Sequence, residues 1–405
     1  MKSWQSRAAV AVAATLVLTA CGTDAPGAPS AAPTSATPSS APASDLAPSS
    51  TPASTAPSPT PPKDCVTRTL DGLDLAGRAG QLLMVGLPVD TPTGYAGAVR
   101  AYRLGGIFLR GRSTHAAAEL RGDIANVQGK ATLPLLVALD QEGGSVQTLK
   151  GPDFPILPSA ARLGAGPVTT LRGTTQDSAR RLSAIGVNMN LAPVADTVPA
   201  DIGEDNPPIG AFRRQYGSDP AKVATAIRTV VPASQDAGVL TTLKHFPGLG
   251  RVRANTDTST KAVDTTATVN DPYLQPFAAG IDAGAAAVMI SSASYPRLDS
   301  GAIAAYSRPI VTDLLRGKLG FKGLVISDDL GAAKAASTLP PAQRAVRFVA
   351  AGGDMVLTIV PSDAKPMSAA LIERAESDPA FRARVDDAAR HVLQTKERAG
   401  LLRCG

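Results

Sequence analysis

Short apolar runs recur along the chain between residues 80 and 360, and most are followed by a stretch rich in Ala and Arg. The runs are nearly continuous rather than alternating, which is typical of parallel strands buried on both faces. The Ala- and Arg-rich stretches favour helix. We therefore predict eight strands, at residues 80–87, 105–109, 134–140, 186–193, 239–245, 285–291, 323–328 and 354–360.

Helices are predicted between these strands, at residues 174–185, 220–237, 271–283 and 340–351. Eight strands that alternate with helices indicate an α/β fold, a single (β/α)8 TIM barrel over residues 63–405. An open doubly wound sheet is the alternative. That fold commonly carries a glycine-rich dinucleotide fingerprint after its first strand, and the sequence has none there.

The chain begins with a targeting segment. Residues 1–20 combine a basic start with a short apolar core, which is typical of a signal peptide and too short for a permanent membrane span. The core runs through Leu-Thr-Ala into Cys21, which predicts a lipoprotein signal whose cleavage leaves a lipidated cysteine. Plain secretion with cleavage near Ala20 is the alternative. Residues 21–62 are almost wholly Ala, Pro, Ser and Thr, so we predict a disordered linker there.

A lipid anchor and a tether would hold the folded part outside the cytoplasmic membrane, on its outer face. Export makes the remaining thiols informative, because disulfides persist in oxidising compartments. Cys65 opens the folded region and Cys404 is the penultimate residue. We predict a disulfide between them that ties the two ends of the domain together, with two buried free thiols as the alternative.

Composition excludes several classes of function. The sequence holds only three His and three Cys, so we expect neither a multi-histidine metal centre nor a cysteine-rich zinc module. The net charge of +6 is spread along the chain without a long basic run, which argues against a nucleic-acid partner. We expect a monomer that needs no metal or organic cofactor.

Polar side chains stand where the predicted strands end. The third strand ends in Asp140, the fifth in Lys244 and His245, and the seventh in Asp328 and Asp329. In a barrel these ends share one mouth, where the chemistry takes place. Taken singly, each residue could cap a helix or pair inside the core. Together, carboxylates, a cation and a histidine suit the hydrolysis of a sugar.

Four strings stand at the ends of predicted strands, and three of them contain these residues: LDQEGG at 139–144, NLAPVAD at 190–196, KHFPG at 244–248 and ISDDL at 326–330. In this order they resemble the family 3 glycoside hydrolases, which are retaining glycosidases on a TIM barrel. The resemblance spans residues 66–400 and is greatest to the single-domain bacterial β-N-acetylglucosaminidases that act on peptidoglycan fragments. It implies that Asp328 is the nucleophile. It also implies sugar contacts from Asp140, Arg214, Lys244 and His245.

The sequence departs from this family after the fifth strand. In the subgroup, an Asp and a His that follow the KHFPG string form the acid/base dyad, but the equivalent positions here hold Asn255 and Asp257. A carboxylic acid can protonate the leaving group and later activate water, as in most retaining glycosidases. We therefore predict Asp257 as the acid/base, close to Asp328 or partly desolvated, with Asn255 as its hydrogen-bonding neighbour.

The resemblance implies a retaining exo-glycosidase that removes terminal β-linked N-acetylglucosamine from peptidoglycan-type fragments of the cell wall. The alternative is a weak or inactive lipoprotein that binds such amino sugars, because the dyad is replaced. A Schiff-base aldolase that uses Lys244 is disfavoured, since the family string explains that lysine. Trp4 is the single Trp and precedes Cys21, so the mature chain lacks the usual stacking platform for long glycans. This favours a small pocket and a short substrate.

The lipid anchor is testable through Cys21. Replacing Cys21 with Ala should release the protein from the membrane fraction of a lipoprotein-competent bacterium, because the residue that carries the lipid is gone. Membrane and soluble fractions would be compared by immunoblot, with Cys404→Ala as the control that keeps the anchor. Unchanged membrane association of Cys21→Ala would contradict lipidation at this residue.

Overall fold

The computed structural model describes residues 64–402. Its centre is a ring of eight parallel strands, paired in the order β7-β6-β5-β4-β3-β2-β1-β8. A parallel bridge between Ile326 and Met355 closes the ring between β7 and β8. The barrel strands are β1 Leu83–Pro88, β2 Gly106–Arg110, β3 Leu136–Leu139, β4 Met189–Asn190, β5 Leu240–Phe246, β6 Ala287–Ile290, β7 Leu324–Ser327 and β8 Val356–Thr358.

Helices surround the barrel, and a π-helical segment, Pro309–Lys318, precedes β7. Two short hairpins lie outside the barrel, one formed by Gln141–Gly143 with Val146–Gln147 and the other by Ser294–Tyr295 with Asp299–Ile303. The α-helices of the described chain are α1 Cys65–Asp71, α2 Leu75–Gln81, α3 Ala96–Ala101, α4 Ala117–Gln128, α5 Ala160–Gly164, α6 Val168–Ala184, α7 Pro220–Gln235, α8 Gln275–Asp282, α9 Pro341–Ala350, α10 Ala364–Ser377 and α11 Pro379–Arg398.

The predicted TIM barrel is confirmed, and the open sheet is excluded because β7 and β8 join. Each of the eight predicted runs overlaps one barrel strand, and β1, β2 and β5 extend one residue beyond the predicted C-terminal end. The first prediction began too early, since Gly80 and Gln81 end α2 and the strand starts at Leu83. Glycine and apolar residues suit a buried helix end as well as a strand, so the pattern could not place that boundary.

The predictions for the two chain ends have different outcomes. The signal peptide, Cys21 and the linker lie outside the described residues, and so does Cys404. Cys65 is disulfide-bonded. Its pairing with Cys404 stays a prediction. Among the described helices, none has the length and apolar character needed to span a bilayer.

Two apolar layers hold the barrel together. The inner layer fills the ring with side chains such as Met84, Met189 and Ile326, and α11 contributes Val392 to it. The outer layer packs the opposite faces of the strands against the surrounding helices. Because both faces of each strand are covered, the strands carry the continuous apolar runs seen in the sequence.

A charged cluster joins α11 to the start of β8. Asp354 is fully buried and forms ion pairs with Arg316, Arg384 and His391. Burial alone would raise the pKa of Asp354, but the hydrogen bond from His391 and the charges of the two arginines lower it. The cluster therefore holds its carboxylate ionised at the end of the barrel opposite the strand C-termini.

A lone buried lysine gives the fold a testable pH dependence. Lys396 is fully buried with Gln81 as its hydrogen-bond partner, and burial lowers its pKa to about 7. In the unfolded chain a lysine keeps its proton up to about pH 10. The unfolded state therefore binds more protons above pH 7, and the free energy of unfolding should rise between pH 7 and 9.

In Lys396→Met, the free energy of unfolding should rise much less between pH 7 and 9, because methionine fills similar space and binds no proton. Thermal or urea unfolding of wild type and variant at several pH values in this range would measure it. An equal pH dependence in both proteins would show that Lys396 is not the group responsible.

Candidate active site

A cleft of about 580 Å³ opens where the barrel strands end at their C-termini. This volume lies within the usual range of small-molecule sites. All six of the predicted catalytic and sugar-contact residues line this cleft: Asp140, Arg214, Lys244, His245, Asp257 and Asp328. They come from five places in the chain, namely the ends of β3, β5 and β7 and the loops after β4 and β5. The structure thus brings together every one of these residues.

A buried carboxylate organises one wall of the cleft. Glu142, on the hairpin after β3, accepts two hydrogen bonds from Arg214, to Oε2 from Nε at 2.8 Å and to Oε1 from Nη2 at 2.7 Å. Its Oε1 also lies 2.6 Å from Lys244 Nζ. Burial alone would raise the pKa of Glu142, but the two cations lower it to about 2. The carboxylate is therefore ionised and fixes both cations in place.

Lys244 bridges two carboxylates. Its Nζ donates to Asp140 Oδ1 at 2.6 Å, in addition to its contact with Glu142. Burial favours the neutral amine, but the charges of Asp140 and Glu142 raise the pKa of Lys244. An ammonium paired with two carboxylates has no lone pair for a carbonyl carbon, which disfavours the Schiff-base alternative.

His245 is oriented from behind by Asp196. Its Nδ1 lies 2.7 Å from Asp196 Oδ2, and Asp196 also accepts backbone N–H groups from His245 and Leu249. Asp196 is fully buried and comes from the NLAPVAD string. The peptide bond between Lys244 and His245 is cis, and the pairing of β5 with β6 shifts register between Leu243 and Phe246. Both side chains line the cleft.

The two aspartates after β7 have different environments. The carboxylate of Asp329 is occupied by backbone hydrogen bonds, which it accepts from the N–H groups of Gly331, Ala332 and Ile359. Asp328 accepts from the backbone N–H of Asp329 at 2.8 Å. Burial raises the pKa of Asp328 to about 6, with the charge of Asp257 adding to the rise and His245 opposing it. Asp328 is therefore the carboxylate available to a substrate.

The loop between β5 and α8 carries Asp257 to the cleft. Asn255 Oδ1 accepts the backbone N–H of Asp257 at 2.9 Å, so the two residues form a local turn. The carbonyls of Thr256 and Asp257 accept from Ala335 and Lys334, on the loop that follows Asp328. Asp257 is exposed, so the expected desolvation is not seen. Its negative charge raises the pKa of Asp328, in keeping with the expected proximity of the two carboxylates.

Sequence reasoning did not single out Glu142 and Asp196 as site residues. Both stand in the strings that carried the resemblance, and both are acidic residues just after a strand. The signal for Glu142 was the need of two buried cations for a counter-charge. The signal for Asp196 was the need of a neighbouring histidine for an orienting acceptor. Among residues 64–402, the structure holds no cluster of His, Cys, Asp and Glu suited to a metal ion.

Known proteins match this chain over most of its folded part. Residues 75–395 match the sequence model of the glycosyl hydrolase family 3 N terminal domain. A β-hexosaminidase of Xanthomonas oryzae pv. oryzae is 35% identical over 271 residues, which cover 63% of this chain and 76% of that protein. The same name is carried by a protein of Stenotrophomonas maltophilia that is 35% identical over 265 residues, 63% of this chain and 76% of its own length.

Solved structures agree with the sequence matches. A β-N-acetylhexosaminidase from Beutenbergia cavernae DSM 12333 is 45% identical, with a TM-score of 0.78 over 80% of this chain and 99% of that chain. A family 3 β-N-acetylglucosaminidase from Paenibacillus sp. is 30% identical, with a TM-score of 0.75 over 81% of this chain and 63% of that chain. The chain therefore belongs to glycosyl hydrolase family 3 and is a glycoside hydrolase that acts on O-glycosyl bonds.

Proposed function

We propose that this glycoside hydrolase is a retaining exo-enzyme that removes terminal β-linked N-acetylglucosamine from peptidoglycan-type fragments of the cell wall. The observation that carries the proposal is the meeting of two carboxylates, Asp328 and Asp257, in one cleft with the predicted sugar contacts. The names of the relatives support an N-acetylhexosamine as the sugar. The tether and anchor predicted at residues 21–62 and Cys21 support action outside the cytoplasmic membrane.

In the first step, the Asp328 carboxylate attacks the anomeric carbon and forms a glycosyl ester as the bond to the leaving oxygen breaks. Asp257, as the acid, gives its proton to that oxygen, so the leaving group departs as an alcohol. In the second step, Asp257 takes a proton from water, and the hydroxide displaces Asp328 from the anomeric carbon. Two displacements at one carbon return the β configuration.

The remaining residues bind and orient the sugar. Asp140 is held by Lys244 with part of its carboxylate open to the cleft, which suits a pair of sugar hydroxyl groups. His245 is fixed by Asp196 next to Asp328, where its field favours the ionised nucleophile. Arg214 is held by Glu142 and has its third contact with the carbonyl of Pro208. It therefore shapes the wall with little freedom to follow a ligand.

A sugar-binding lipoprotein without turnover is the second candidate. The exposure of Asp257 favours it, because general acids usually act where water is excluded. Turnover of an aryl β-N-acetylglucosaminide by the folded fragment separates the two candidates. Saturable sugar binding without any hydrolysis would support the second, and binding should then be lost in Asp140→Ala.

The role of Asp328 is tested by trapping. A 5-fluoro N-acetylglucosaminyl fluoride, which slows the second displacement, should label a peptide that contains Asp328, as mass spectrometry of a digest would show. Asp328→Asn should lower kcat by at least about 1000-fold, because the amide is a poor nucleophile. Asp177→Asn, on the exposed face of α6, is the matched control. A label elsewhere, or near-normal activity of Asp328→Asn, would remove Asp328 from this role.

The role of Asp257 is tested by leaving groups. Asp257→Ala should slow substrates with poor leaving groups far more than activated aryl glycosides, because only the former need a proton at the leaving oxygen. Added azide should restore turnover of the activated substrates and give a β-glycosyl azide. Equal losses on both kinds of substrate, or none, would show that Asp257 is not the acid/base.

The pH profile gives an independent check on the same pair. With an activated aryl glycoside, kcat/KM of the wild type should fall below about pH 6, where Asp328 takes up a proton. Asp257→Asn removes a negative neighbour, which lowers the pKa of Asp328 and moves this acid limb to lower pH. An acid limb at the same pH in both proteins would contradict the electrostatic contact between them.

A further inference from the structure

An arginine closes the base of the loop that carries Asp257. Residues 251–264 form an irregular segment between β5 and α8, and Asp257 lies near its middle. Arg251 Nε donates to Asp264 Oδ2 at 2.9 Å, so an ion pair joins the first residue of the segment to the last. An irregular segment of this length whose ends are close together is an Ω-loop. We call it the 251–264 loop.

The same guanidinium ties the loop to the elements on either side. Its two Nη atoms donate to the carboxylate of Asp271, at 3.3 and 2.5 Å, and Asp271 caps the short turn that precedes α8. The guanidinium carbon lies 4.4 Å from the centroid of the Tyr273 ring. The backbone N–H of Asp264 donates to the carbonyl of Ser294, on the hairpin after β6. Arg251 therefore fixes the loop to α8 and to that hairpin.

This contact is shielded from water. The side chains of Asp264 and Asp271 are 2% and 5% exposed, and that of Arg251 is 19% exposed. Burial alone would lower the pKa of Arg251, but the hydrogen bond with Asp271 and the charge of Asp264 raise it. A charged guanidinium that binds two carboxylates through its fork is both strong and directional. We call these three side chains the Arg251 clamp.

Beyond the clamp, the tip of the loop has few other polar contacts. In the described chain, residues 253–261 are hydrogen-bonded to other segments only through the carbonyls of Thr256 and Asp257, which accept from Ala335 and Lys334. Their remaining hydrogen bonds join residues of the loop to one another. The position of Asp257 therefore depends on these two bonds and on how firmly the base of the loop is held.

The carboxylate of Asp257 depends on its backbone for orientation. No hydrogen bond from another described residue holds that carboxylate, in contrast to the carboxylates of Asp140 and Asp329. A general acid must stand within hydrogen-bond reach of the leaving oxygen. A shift of about 1 Å in such a group can cost about 100-fold in rate. A firm loop base is thus a condition for proton transfer.

We propose that Arg251 is a positioning residue for the reaction, which holds the 251–264 loop through Asp264 and Asp271 so that Asp257 reaches the leaving oxygen. Arg251 is not among the residues that line the cleft, so it acts through the loop and not by contact with the substrate. This inference rests on the acid/base role of Asp257 in the proposed function. It adds the residue that determines where that acid stands.

Two variants weaken the Arg251 clamp without removing a bulky side chain. In Asp264→Asn, the amide oxygen can still accept the N–H groups of Thr266 and Ala267, as Oδ1 does now, while the amide nitrogen faces Nε of Arg251, donor against donor. Arg251→Lys keeps the charge and loses the fork. The matched control is Arg316→Lys, which alters a buried pair with Asp354 at the other end of the barrel.

The dependence on the leaving group separates positioning from general loss of structure. For an alkyl β-N-acetylglucosaminide, both clamp variants should lower kcat/KM by at least about tenfold, because the acid is displaced. For an activated aryl β-N-acetylglucosaminide, kcat/KM should fall by less than about twofold, because its leaving oxygen needs no proton. The control Arg316→Lys should change kcat/KM of the two substrates by the same factor.

A double variant tests whether Arg251 acts through Asp257. In an Asp257→Ala background, Asp264→Asn should cause no further loss of kcat/KM on the alkyl substrate, because the acid that the clamp positions is absent. A clamp with a merely structural role would lower kcat/KM by the same factor in both backgrounds.

Trypsin gives a measurement that does not depend on activity. Arg253 and Lys261 are exposed in the 251–264 loop and are tryptic sites. The native Asp264→Asn protein should be cut after these residues at least about fivefold faster than the wild type, because the loop opens more often. Arg316→Lys should be cut there at the wild-type rate.

The outcomes distinguish this inference from the proposed function. Equal losses on both substrates in the clamp variants, a further loss in the Asp257→Ala background, or cleavage of the loop at the wild-type rate would overturn the positioning role of Arg251. None of these results touches the proposed function. If Asp257→Ala itself slows both substrates equally, or if the wild type hydrolyses neither, the acid/base role of Asp257 fails and the inference fails with it.

Discussion

Two cations share the buried carboxylate of Glu142, and the arrangement of the cleft depends on that contact. Arg214 arrives on the loop after β4 and Lys244 from within β5, so one carboxylate on the hairpin after β3 ties three neighbouring segments together. Removing it would leave two cations in a site with little water, which costs several kcal/mol. Lys244 in turn holds Asp140, the first predicted contact for a sugar. The ground state of the site is therefore neutral and rigid on this side, before any substrate binds.

On the opposite side of the cleft, no Lys or Arg of residues 64–402 forms an ion pair with the carboxylates of Asp257 and Asp328. Asp328 has one backbone donor, whereas its neighbour Asp329 is fully engaged by three. The difference explains how two adjacent aspartates can have separate roles, one reactive and one structural. Backbone hydrogen bonds also join the loop of Asp257 to the loop of Asp328. The charge of Asp257 thus acts on the nucleophile and leaves it harder to ionise.

The sequence predicted the barrel because buried parallel strands carry continuous apolar runs, and it predicted the cleft residues because those strands share one mouth. It could not reveal what each carboxylate contacts. Glu142 and Asp329 are both acidic residues next to a predicted site residue, yet one neutralises cations and the other binds backbone amides. Such distinctions depend on contacts between residues far apart in the chain.

The stereochemistry of hydrolysis tests the central claim most directly. Two successive displacements, first by Asp328 and then by water, must give N-acetylglucosamine that is released as the β-anomer. Proton NMR during rapid turnover of an aryl β-N-acetylglucosaminide would observe the anomeric signal before the sugar mutarotates. The account predicts that the β signal appears first and the α signal grows in slowly afterwards. An α signal that appears first would mean a single displacement by water, and it would contradict a covalent intermediate on Asp328.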